Sequence, residues 1–247
     1  MAITITTDKQ IEKYLARYAE PEARQIVDLF SDLNANAEIT ATHQYEHCLV
    51  IPARNENWSS VQKVWHKLTG RIIVILIVNA SDANDHETAQ LLAEATSSHR
   101  LHKDNLYFSF INSSVHCLTV DRVSSNWMFD ETQGVGLARK IGADIALAMI
   151  GSERVTNPFI NNTDADARLP HRYFETSLQN LTSDHKIAAI VRPFRHVFRS
   201  DEVEPSANKE PSANKEPSAE VEPSANKEPS AEEEPSANKE PSANKEP

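Results

Sequence analysis

The chain has 247 residues, with 36 Asp and Glu against 25 Lys and Arg and a formal net charge of −11. From Glu204 to Pro247 it repeats EPSANK or a close variant (EPSAEV, EPSAEE), and this tail carries −6 of that charge, leaving −5 on the first 203 residues. So mild an acidity argues against a broad nucleic-acid-binding surface.

The tail offers almost no apolar area to offset the entropy of ordering it, and a proline every sixth residue interrupts any helix. Residues 201–247 are therefore expected to form a disordered extension. The first residues, MAITITTDKQ, lack the basic and apolar regions of a signal peptide, and the longest apolar run, IIVILIV at 72–78, is too short to span a bilayer. A cytoplasmic protein without a transmembrane segment is the expectation.

In chain order, residues 8–33 set Ile11, Tyr14, Leu15, Ile26, Leu29 and Phe30 at helical spacing, with Pro21 breaking the pattern. That spacing predicts two short amphipathic helices within an N-terminal extension, residues 1–45. HCLVIPA (47–53) is a continuous apolar run ended by Pro52, followed by the polar RNEN and a helical stretch, WSSVQKVWHKLTG, closed by Gly70. RIIVILIVNAS follows as a second strand, DHETAQLLAEATSS (85–98) as a helix, and then a polar stretch leads to the strand VHCLTVDRV (115–123). After the loop SSNWMFDETQG come the helix VGLARKIGADIALAMI, the strand and loop PFINNTDADARLP, a helix HRYFETSLQNL and a strand KIAAIVRPF.

Strands apolar at every position, separated by helices, predict an α/β fold with a mostly parallel sheet covered on both faces. Ligands of such sheets collect outside the carboxyl ends of the strands. Three polar clusters fall there: Arg54-Asn55-Glu56, Asn79-Ala80-Ser81-Asp82 and Asp164-Ala165-Asp166.

In an extended segment Asp164 and Asp166 point the same way, and such an oxygen-only pair suits Mn²⁺ or Mg²⁺ bridging to substrate phosphates. One D-x-D is expected by chance in a chain this long, about once; its place at the end of an apolar strand sets this one apart. GVGLAR (134–139) matches neither a dinucleotide fingerprint nor a P-loop, but Arg139 and Lys140, on the first turns of the helix, are placed to add positive charge beside a diphosphate. Cys48 and Cys117 lie in apolar runs and read as buried reduced thiols, and the tryptophans read as packing.

Taken together, CLVIPARNE, IVNASD, GVGLARKIGADIAL and INNTDADARLPHRYF resemble, in order and spacing, the nucleotide-binding half of family 2 glycosyltransferases with the GT-A fold. The resemblance spans about residues 46–198, within a GT-A-like domain at 46–200. It implies that the first loop, Pro52, Ala53, Arg54, Asn55 and Glu56, and the loop after the second strand, with Asn79, Ser81 and Asp82, cradle the nucleoside. Asp164 and Asp166 would hold the divalent ion on the diphosphate of a UDP-, GDP- or dTDP-linked sugar, with a glycan or lipid-linked acceptor. The family usually has an aspartate where this chain has Asn79, which implies an altered nucleotide preference or a loss of binding. Members also continue for roughly another hundred residues, which supply the acceptor site and a general base. The expectation is thus a donor-binding half-site without a complete catalytic apparatus, a truncated or degenerate glycosyltransferase whose transfer activity is doubtful and whose site a partner chain could complete. Two alternatives stay open: a sugar nucleotidyltransferase, although VIPARNEN has no glycine, and a non-catalytic interaction protein working through its repeat tail.

Overall fold

The computed structural model describes residues 9–35, 44–175 and 189–192, with the side chains of 31–35 outside that description. The chain divides into two units, Met1–Ile190 and Val191–Pro247, and every element named below belongs to the first. Most of the expected helix after Tyr173 and of the strand at 186–194, and the whole repeat tail, lie outside the described residues; residues 189–192 carry no regular structure.

The elements in order are α1 (Lys9–Arg17), α2 (Pro21–Ala35), β1 (His47–Ala53), α3 (Trp58–Gln62), β2 (Ile72–Asn79) and α4 (His86–Thr96). Next come β3 (Leu101–Lys103), β4 (Leu106–Phe110), β5 (Val115–Arg122), α5 (Val135–Gly151) and β6 (Ile160–Asn162). One six-stranded sheet runs β3-β4-β5-β2-β1-β6. β5, β2, β1 and β6 are mutually parallel, whereas β3 and β4 form an antiparallel hairpin on the outer edge of β5. The protein is thus α/β, with a mostly parallel sheet between helical layers.

β1 and β2 are apolar almost throughout because both faces are covered, whereas β5 buries His116, Thr119 and Asp121 among its apolar residues. Cys48, Val50, Ile73, Ile75, Ile77, Leu118 and Val120 pack under α2 and α5, and Leu49, Ile51, Val74, Leu76, Val78 and Cys117 pack under α3 and α4. Chain direction explains the division. From β1 to β2 to β5 the strands step one way, so right-handed crossovers put α3 and α4 on one face; the return past β1 to β6 puts α5 on the other. At Gly142 α5 sits so close to the sheet that a Cβ there would lie 2.2 Å from Val50 Cγ1.

Three expectations are corrected. Pro52 does not end β1, because it pairs with Ile77 of β2. The carbonyl of Val50 accepts from Thr163 N, so the backbone of Val50, and of Pro52 two residues on, faces β6, whose pairing stops at Val50↔Asn162. The missing N–H of Pro52 therefore costs no ladder bond. Second, the helix after β1 stops at Gln62, and Val64, Trp65 and Leu68 reach the core from turns instead. Third, the polar stretch before β5 contains the β3–β4 hairpin, turned at Asp104 with φ 53°.

Candidate functional site

The strand order reverses between β1 and β6, and the crevice outside their carboxyl ends is where sheets of this kind place a ligand. Pro52 and Ala53 are buried residues at the end of β1. Arg54 and Asn55 turn away toward α4. Arg54 Nε donates to Asp85 Oδ2 at 3.1 Å, the Asn55 N–H donates to Thr88 Oγ1 at 2.9 Å, and Asn55 takes a left-handed φ of 56°. Rotating the Asn55 amide adds a donation to Asp85 Oδ1 at 2.7 Å.

Asp85 is the N-cap of α4, accepting from Thr88 N, so the first loop is fastened to a helix start. Burial pushes the Asp85 carboxyl up, but hydrogen bonds from Thr88 and Arg54 outweigh it and hold the group below its usual value. Arg54 and Asn55 thus shape the loop with their side chains, a role visible in the sequence only as Asp85 before a helical run.

Beside this loop, Asn55, Glu56, Asn57, Glu87, Gln90, Leu91 and Glu94 line a cavity of about 290 Å³. Three glutamates on its wall would repel a diphosphate, and its lining includes none of Asn79, Asp164 and Asp166.

At the end of β2, Asn79 is 6% exposed, and among the described residues its side-chain amide makes no hydrogen bond, although Ala53 and Arg122 lie on neighbouring strands at this level. Ser81 is half-buried, and Asp82 accepts from the backbone and side chain of Asn84, closing its own turn.

At the end of β6 the chain turns, with Ala167 N donating to Asp164 O at 3.2 Å, so the acids sit on a turn rather than on a continuing strand. Ala165 is buried in the core on the α3–α4 face, and Asp164 and Asp166 on either side of it are exposed. Arg139 of α5 donates to Asp164 Oδ1 at 2.5 Å, joining two candidates 25 residues apart. Among the described residues no three His, Cys, Asp or Glu side chains group to hold a metal ion. Two carboxylates still fit the way Mg²⁺ is held, through one or two acids with the remaining positions left to water and phosphate.

Lys140 does not join Arg139. Successive helical residues lie about 100° apart, and Lys140 points to the N-terminal helices, meeting Asp144 at 2.7 Å, Glu20 at 3.0 Å and the carbonyl of Tyr18 at 2.9 Å. Its expected place beside a diphosphate is therefore corrected: it clamps the connection between α1 and α2. The thiols of Cys48 and Cys117 are buried and unbridged, and burial pushes each up to about 12, far from a reactive thiolate. Among the described residues no helix is long and apolar enough to cross a membrane. In comparisons with known proteins, the chain matches no family model, no curated protein and no solved structure.

Proposed function

We propose that the protein is a glycosyltransferase-like domain of GT-A type that binds a nucleotide-diphosphate sugar across the carboxyl ends of β1, β2 and β6. Asn79 carries the reading: its side-chain amide, hydrogen-bonded to no described residue, stands at the strand end where the nucleoside would lie, and an amide can both donate to and accept from a base edge. Arg139 and Asp164 support it from the other side of the crevice. Without ligand they neutralise one another. Asp164 and Asp166 would hold Mn²⁺ or Mg²⁺, which would supply positive charge to the diphosphate, and Arg139, released from Asp164, would be free to meet the phosphates. Chemically, these groups hold a donor; we assign none of them to activating an acceptor.

Calorimetry with UDP, GDP and dTDP compounds, with and without Mn²⁺, tests the proposal. Metal-dependent binding of one nucleotide is expected, and Asp164→Ala and Asp166→Ala should each weaken it by at least about tenfold, since even an outer-shell partner of a metal ligand is worth that much. Binding that ignores both the metal and these substitutions would refute the assignment, as would no binding at all, which would instead favour an interaction role.

A further inference from the structure

The first turn of α2 carries a glutamate that is 1% exposed, Glu22, and its partners lie at the carboxyl edge of the sheet. Glu22 Oε1 accepts from Arg122 Nη2 at 2.5 Å and from Asn105 Nδ2 at 2.9 Å. Asn105 also reaches the carbonyl of Asp121 at 3.3 Å, which ties the β3–β4 turn to the same point. An acid in a first turn gains from the helix dipole, but that gain is far smaller than the cost of burying a carboxylate, so its place here depends on Arg122.

Arg122 in turn holds the loop that leaves β5. Its Nη1 donates to Trp127 O at 3.3 Å, and its guanidinium lies 5.5 Å from the centre of the Phe129 ring. Phe129 is 3% exposed, and its N–H donates to the carbonyl of Ala80 at 3.0 Å, immediately before Ser81 and Asp82. Ala80 N donates back to Arg122 O. The loop then runs to Gly134 and the first turns of α5, which present Arg139 to Asp164. Contacts thus lead from Glu22 to the end of β2, and the chain itself carries the loop on into α5.

We infer that Glu22 is a positioning residue: through Arg122 it fixes the 123–130 loop against the end of β2, so that α2 is a working part of the carboxyl-edge crevice rather than an appendage. Its effect on ligand binding rests on the nucleotide-sugar reading; its effect on the loop does not. The cluster is also incompletely bonded within the protein, since Glu22 Oε2, Asn105 Oδ1 and Arg122 Nε are buried without a partner there.

The test uses the full chain with Glu22→Gln, Arg122→Met, and both together. Hydrogen exchange in the 123–130 loop should quicken about tenfold in Glu22→Gln, with β1 and β2 amides unchanged, as expected for a local opening once the guanidinium loses its counter-ion. In the Arg122→Met background Glu22→Gln should add no further quickening. A loop that exchanges as in the wild type in a folded Glu22→Gln protein overturns the inference. Uniform quickening throughout the sheet does so too, because it marks general destabilisation. If the wild type binds a nucleotide sugar, Glu22→Gln should weaken that binding about tenfold. If the wild type binds none, the donor-site reading fails while the loop measurement still decides the role of Glu22.

Discussion

Replacing Gly142 by alanine puts a methyl carbon 2.2 Å from Val50 Cγ1 and 2.8 Å from Ile77 Cδ1. Carbon atoms settle at about 3.5–4.0 Å, so either α5 backs off the sheet by about 1.3 Å or the two strand side chains leave their rotamers. The strands cannot yield, because β1 and β2 are each paired on both sides. Overpacking of this kind costs about 1–3 kcal/mol and occasionally more, and a site this confined belongs at the upper end. The gain in helix propensity returns about 1 kcal/mol, which leaves a net loss of about 2 kcal/mol. Urea unfolding should show a lower midpoint at an unchanged slope. Val50→Ala on its own removes two buried methyls and should cost about 2 kcal/mol. Combined with Gly142→Ala, it opens the space the new methyl needs, so the double variant should be more stable than the sum of the singles predicts by about 1 kcal/mol or more. A Gly142→Ala protein as stable as the wild type, or strict additivity in the double variant, would refute the close-approach argument.

Other groups give independent checks. Asp144, 3% exposed, accepts from Tyr14 Oη, Glu20 N and Lys140 Nζ. Asp144→Asn turns an amide N–H₂ toward donors and should cost about 1–3 kcal/mol. The hydrogen bond to Asp144 is the largest cause of the raised Tyr14 pKa, so in the variant the Tyr14 phenol should titrate closer to 10.0, read by ultraviolet absorbance; an unshifted Tyr14 would break that attribution. His47 stacks on Phe174 with ring centres 4.1 Å apart, and burial holds its imidazole below the usual 6.5. As pH falls the unfolded chain takes the proton first, so this contribution to stability is complete above pH 6.5 and is lost as pH falls through the folded value. His47→Phe keeps a ring there without the titration, so its stability should fall less than the wild type's on acidification; equal falls would place the effect elsewhere.

Legibility in the sequence followed the kind of signal. β1 and β2 could be read because burial on both faces makes them apolar almost throughout, β5 because Val115, Cys117, Leu118 and Val120 keep it largely apolar, and α5 because its apolar residues recur over four turns and more. The β3–β4 hairpin was missed because Leu101–Lys103 and Leu106–Phe110 mix polar with apolar residues at a sheet edge, leaving only Asp104-Asn105 as a turn signal. The short α3 misled for another reason: Val64, Trp65 and Leu68 keep helical spacing and are buried, yet the chain beyond Lys63 is a series of turns. In the candidate site, the strand-end positions of Arg54, Asn79 and Asp164 were legible from strand order alone. The partners were not. Pairing Arg139 with Asp164, Arg54 with Asp85 and Glu22 with Arg122 depends on how α5, α4 and α2 lie on the sheet, and no local pattern encodes that.

The turn after β6 separates anchoring from chemistry residue by residue. Ala165 fastens the turn to the core, the backbone bond from Ala167 to Asp164 closes it, and the carboxylates of Asp164 and Asp166 stand outside both contacts. Mutational drift can therefore rewrite either acid, exchanging a carboxylate for an amide or a base, while the backbone that presents them persists. The charge at this corner of the sheet is therefore open to change almost independently of folding, with the ion pair from Arg139 to Asp164 its one structural tie among the described residues.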